Sequence, residues 1–203
     1  MKKIILETAT ENSAIEECLS LLKIQGSVLL LPTETVYGLM CSWNDELAIR
    51  RIEKMKRRDA NKNFQLLSDD IEKIESIGGI LNDAALKICW KLCPGPLTLV
   101  IKSAHGGTIG FRIPKYDFLL KLIAKFGHPL TATSANISGE PPYAKAAEAL
   151  VSLDKEFPDI LIDGGLIPSG ALASTVVDLS GDEITIIRKG LISEDEIRKA
   201  VKQ

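Results

Sequence analysis

Short apolar runs alternate along this chain with longer segments of helical period, and this alternation is the strongest constraint on its fold. SVLLL (27–31) is halted by Pro32 and reads as a buried strand. NFQLL (63–67), LTLVI (97–101), IGFRI (109–113), PLTAT (129–133), DILID (159–163), STVVDL (174–179) and EITIIRK (183–189) read as further strands. Between them, NSAIEECLSLLKIQG (12–26) brings Ile15, Leu19 and Leu22 onto one helical face, with Asn12 or Ser13 as its cap and Gly26 as its stop. NDELAIRRIEKMKRR (44–58) does the same with Ala48, Ile49, Ile52 and Met55, and its last turn is cationic. Helices are also expected over 82–93, 116–127, 143–153 and 193–202. About eight strands interspersed with about six helices imply an α/β (mixed α+β) domain, a sheet with helices packed on it.

The chain has 203 residues, of which 45% are hydrophobic, enough for one well-filled core. Its net charge of −2 gives the whole molecule no general attraction to nucleic acid or membranes, so any polyanion site must be a local patch. No run approaches the length of a transmembrane span, and the apolar part of MKKIILETATENS is too short for a signal peptide. The four cysteines form no CxxC pair and there are two histidines, so a zinc site is not expected. Cys18, Cys89 and Cys93 read as small core residues, and free thiols without an export signal suggest the reducing cytosol.

Five stretches carry polar groups where chemistry could sit. In LPTETVYGL (31–39), a buried strand delivers Thr33, Glu34 and Thr35 to its exit, where sheets often bind ligands; the same residues could simply cap a turn. KMKRRDANK (54–62) concentrates Lys54, Lys56, Arg57, Arg58 and Lys62 at a helix end, which suits phosphates or merely the helix dipole. In IGFRIP, Phe111 and Ile113 share a face and Arg112 points to the other, where it needs an anionic partner unless that face is exposed. Arg188 in TIIRKG poses the same question. TSANISGEPP offers Ser134 and Asn136 as neutral donors among small residues, or else an elaborate cap for the helix after it. Finally, Ser174 and Thr175 open a late strand. No GxxxxGK loop, GxGxxG, HExxH or GxSxG occurs.

Taken in order, LPTETVYGL, KMKRRDANK, CPGPLTLVI, FRIP, TSANISGEPP, STVVD and IIRKG resemble the motifs of the YrdC family, the threonylcarbamoyl-AMP synthases of tRNA modification. The resemblance implies a YrdC-like fold, a twisted mixed β-sheet flanked by helices with a concave basic cavity, as a single domain over 1–203 in the short form of the family. It implies that L-threonine, bicarbonate or carbon dioxide, and ATP give threonylcarbamoyl-AMP and pyrophosphate. Transferase proteins of the same pathway would then pass the threonylcarbamoyl group to the adenosine beside the tRNA anticodon. It further implies that Thr33, Arg112 and Ser174 contact threonine. Lys56, Arg58, Thr108, Ser134, Asn136 and Arg188 would hold ATP. No covalent protein nucleophile is expected. Mg²⁺ would accompany ATP; no carboxylate is assigned to hold it, and Glu34 is a candidate.

Asp59 stands where the family usually has Pro, and Asn63-Phe64 where it usually has Pro-Leu. These departures bear on the shape of the 59–64 loop and on the role of Lys62. The competing reading is a non-catalytic module for tRNA or double-stranded RNA, against which stand the negative net charge and the lack of aromatic residues in the basic run. A carbamoyl-transfer domain of hydrogenase maturation ranks lower, since its zinc-binding cysteine pairs are missing here.

Overall fold

A computed structural model describes residues 1–60, 63–153, 156–168, 170 and 172–202. The chain runs β1 (Lys2–Ile5), α1 (Glu11–Leu22), β2 (Leu29–Leu31), β3 (Gly38–Ser42), α2 (Glu46–Lys56) and β4 (Gln65–Leu67). It continues through α3 (Glu72–Ser76), β5 (Gly79–Ile80), α4 (Asp83–Leu92), β6 (Leu97–Ser103), β7 (Thr108–Arg112) and α5 (Asp117–Phe126). β8 (Leu130–Ser134), α6 (Ala146–Val151), β9 (Ile160–Asp163), β10 (Thr175–Asp178), β11 (Thr185–Arg188) and α7 (Glu194–Lys202) complete it.

All the strands join one sheet in the order β1-β9-β2-β3-β8-β4-β7-β6-β10-β11, with β5 paired to β6 off that path. The sheet is mixed: β9 lies parallel to both β1 and β2, whereas β3 and β4 both run antiparallel to β8.

Alternation along the strands divides the core by face. Leu29 and Leu31 pack with α1 and α5, through Ile15, Cys18, Leu119 and Leu122. Leu30, between them, turns to the other face and meets α2 and α6 through Ile52, Met55 and Ala149. A strand covered on both faces reads as an unbroken apolar run, which is why LLL carries no polar residue. Farther along the sheet, Leu97, Leu99, Phe111 and Val177 pack against α4 and α7. The opposite face of that half carries Thr98, Val100, Thr108, Gly110 and Arg112, which line a cavity.

Several boundaries differ from the sequence reading. α1 begins at Glu11, with Thr10 rather than Asn12 or Ser13 at its N-cap position. The helix expected over 143–153 is only Ala146–Val151, and Lys145 precedes it in extended backbone without a side-chain cap. TSANISGEPP therefore does not serve as a cap for that helix. Cys18 and Cys89 are buried as expected, whereas Cys93, also expected in the core, is partly exposed at the end of α4; Cys41 is buried as well.

Candidate functional site

The cavity has a volume of about 570 Å³ and is walled by segments from distant parts of the chain. It takes Thr35 from the β2–β3 turn, Arg58 from the end of α2, Arg112 from β7, Ser134 and Asn136 from the exit of β8, and Ser174 and Arg188 from the last strands. Thr108 lines it as well. Seven of the nine expected site residues thus come together on its wall.

Thr33 and Lys56, the other two, lie behind that wall. Thr33 is 3% exposed. Its Oγ1 accepts from the backbone N–H of Thr35 (3.0 Å) and of Val36 (3.0 Å) and donates to the Val36 carbonyl (2.8 Å). With its single hydrogen so placed, Thr33 accepts from the Thr35 hydroxyl at 2.8 Å. Thr35 in turn accepts from Arg112 Nη1 at 2.8 Å. A chain of hydrogen bonds thus leads from the arginine through Thr35 into the turn. Of the two threonines in TET, the second faces the cavity and the first holds the turn.

Lys56 is 1% exposed. Its Nζ donates to the carbonyls of Ser134 and Asn136, and its own carbonyl accepts from Ser138 N at 2.8 Å. The lysine therefore fastens the loop after β8 from beneath. Burial, reinforced by the Arg58 charge, pulls its ammonium down to about 7. Asn136, 5% exposed, donates through Nδ2 to the carbonyls of Ile137 (2.9 Å) and Glu140 (2.7 Å). Its Oδ1 is buried and accepts nothing from the chain.

Arg112 is 2% exposed, so it lies buried at the end of its strand, whereas Thr108 on the same face is exposed. Glu34 Oε1 lies 3.3 Å from its Nη1. Burial lowers the guanidinium's basicity, Glu34 opposes that shift and Arg188 adds to it. Arg112 Nε is buried and makes no hydrogen bond, and neither oxygen of Glu34 accepts one. Buried polar atoms left in this state are uncommon.

At the far end, Arg188 donates through Nε to the Ser174 carbonyl and through Nη2 to Ser174 Oγ, both at 3.0 Å. Ser174 Oγ is 2.8 Å from Thr98 Oγ1, which donates to Gln65 Oε1 at 2.9 Å. Thr98 and Gln65 were missed in the sequence reading. The available signal was a hydroxyl at the second position of the otherwise apolar LTLVI. Arg58 donates to the Asn63 carbonyl at 2.8 Å and lies over the Phe64 ring, 4.6 Å from its centroid. Lys62 lies outside the described residues.

Three guanidinium groups and several hydroxyls thus converge between one half of the sheet and the loop after β8, a donor set whose chemistry suits a polyanionic small ligand. The family model described as Sua5_yciO_yrdC, telomere recombination, matches residues 22–190, and the chain belongs to that family. It is 33% identical to the threonylcarbamoyl-AMP synthase of Pyrococcus abyssi, over 87% of this chain and 54% of that one. It is 34% identical to a putative threonylcarbamoyl-AMP synthase of Methanocaldococcus jannaschii, over 83% of this chain and 82% of that one. The structure of P. abyssi Sua5 complexed with L-threonine superposes with a TM-score of 0.86 at 29% identity, covering 98% of this chain and 60% of that one. The chain therefore spans little more than half the length of the Pyrococcus protein. No helix among the described residues is long and apolar enough to cross a membrane.

Proposed function

We propose that this protein is an L-threonylcarbamoyladenylate synthase, joining L-threonine, bicarbonate or carbon dioxide, and ATP into threonylcarbamoyl-AMP with release of pyrophosphate. The observation that carries this reading is the convergence of Arg58, Arg112 and Arg188 with Ser134, Asn136 and Ser174 on one cavity. Arg112 and Ser174 would take the amino acid, the guanidinium gripping its carboxylate. Arg58, Arg188, Thr108, Ser134 and Asn136 would take the nucleotide. Thr33 and Lys56 act from behind, the first by orienting Thr35 and the second by holding the loop that bears Ser134 and Asn136.

The reaction needs no protein nucleophile. The threonine amine, having lost a proton, adds to carbon dioxide; an oxygen of the resulting carbamate attacks the α-phosphorus, and the bond to pyrophosphate breaks. Fixed cations close to both reactants align the two anions and stabilise the charge on the departing pyrophosphate. The described residues contain no cluster of three or more His, Cys, Asp or Glu side chains fit to hold a metal, and Glu34 already faces Arg112. A Mg²⁺ ion would therefore be bound chiefly by phosphate oxygens of ATP, where it neutralises charge. The product would pass to the transferase proteins that modify tRNA beside the anticodon.

The test is to incubate the protein with ATP, bicarbonate and L-threonine and measure pyrophosphate. Release should depend on threonine. Arg112→Ala should raise the KM for threonine at least about tenfold, the scale of one charge-assisted pair, with Arg112→Lys only partly restoring it. Threonine-independent or absent release overturns the reading. Binding of double-stranded RNA that weakens steeply with salt, without pyrophosphate release, would favour the RNA module instead.

A further inference from the structure

Asn63 and Phe64 stand immediately before β4, and both line the cavity beside Arg58. Arg57, at the C-cap of α2, adopts left-handed backbone with φ 48°. That turn ends the helix and starts the chain toward the loop carrying Arg58. Among the contacts of the Arg58 guanidinium, Nη2 donates to the Asn63 carbonyl at 2.8 Å, and the group lies 4.6 Å from the centre of the Phe64 ring. The ring is anchored in turn, because it packs against the cluster that includes Tyr37 and Met55.

We propose that Phe64 is a positioning residue for Arg58, its ring fixing the guanidinium at the cavity mouth so that the identity of residue 64 sets affinity for the nucleotide's phosphates. The geometry allows both duties at once. Stacking occupies the face of a guanidinium, whereas hydrogen bonds to phosphate oxygens leave along its edge. An aliphatic side chain such as Leu could fill the same space, but it has no negative ring face to hold the cation. Asn63 and Phe64, where the sequence departs from the motif it otherwise follows, thus work as a pair: the backbone of one and the ring of the other orient a single arginine.

The inference rests on the reading of Arg58 as a phosphate ligand, and a double-mutant cycle separates the two. ATP with Mg²⁺ and, separately, L-threonine are titrated calorimetrically into the wild type, Phe64→Leu, Phe64→Tyr, Arg58→Ala and the Arg58→Ala/Phe64→Leu double variant. Phe64→Leu should weaken ATP about three- to tenfold while leaving threonine affinity unchanged, and Phe64→Tyr should bind ATP as the wild type does. In the Arg58→Ala background, Phe64→Leu should cause no further loss. Unaltered ATP binding by Phe64→Leu overturns the inference and leaves the proposed function standing. So does an equal loss in both backgrounds, or an equal loss in the Leu and Tyr variants. A wild type that binds no ATP overturns the proposed function, and the inference with it.

Discussion

Lys56 is an ammonium group held in the core between two carbonyls, and it should make stability depend on pH in an unusual direction. In the unfolded chain it stays protonated to about 10.5, whereas in the fold burial brings it to about 7. Between these values the unfolded state holds more protons, so raising the pH stabilises the fold; below that window both states are charged and the cost of burying the charge is borne in full. The Tm of the wild type should therefore climb, relative to Lys56→Met, as pH is raised from about 7 to about 9. Parallel Tm profiles for the two proteins would refute this. At this scale much of the site was legible. The alternation in IGFRIP put Arg112 opposite Phe111, and the structure gives it the carboxylate that such an arginine needs, in Glu34. Sequence spacing did not distinguish Thr33 from Thr35, because that depends on how the turn after Leu31 folds back through its own hydroxyl contacts. Nor could the charge count in KMKRR show that Lys56 points inward beneath the loop while Arg58 reaches the cavity.

The long elements were legible because a periodic apolar face is long enough to be seen. α5 buries Phe118, Leu119, Leu122 and Ile123, the expected spacing, and ends at Gly127 with φ 80°, which glycine adopts at no steric cost. β1, β3, β5 and α3 went unread. β5 has two residues and α3 has five, too few to display a period. β1 is an edge strand with lysines, more polar than a central strand. The helix expected from 143 starts later because the chain there is tied to other segments: the Tyr143 carbonyl accepts from Tyr37 N at 3.4 Å and the Ala144 carbonyl from Ile167 N at 3.0 Å, and Lys145 is extended. One element-scale link is directly testable. Asp45 caps α2 through Oδ1, accepting from Ala48 N at 3.0 Å, while Oδ2 accepts from Gly26 N at 2.6 Å in the turn ahead of β2. Asp45→Ala should destabilise the protein by about 1–2 kcal/mol, measured by urea denaturation, and Asp45→Asn by less. A loss no larger than that of a surface substitution would show that the cap is dispensable.

For the whole molecule, the described strands share one sheet, and three core clusters are built on its faces. We expect residues 1–203 to unfold as one cooperative domain, with circular dichroism and tryptophan fluorescence reporting coincident transitions in denaturant. Transitions that separate would divide the chain into two units. The architecture was legible as a class, but the strand order was not, since pairing partners far apart in sequence leave no local mark. β9 enters between β1 and β2, and β8 between β3 and β4. This interleaving has a consequence during synthesis. While the chain is still leaving the ribosome, β1 and β2 wait for the strand that belongs between them, and β2 offers one unpaired edge of three leucines to whatever is nearby. That edge has no native partner until Ile160–Asp163 have been made, so the order of synthesis leaves the chain with the kind of open strand edge on which aggregation starts.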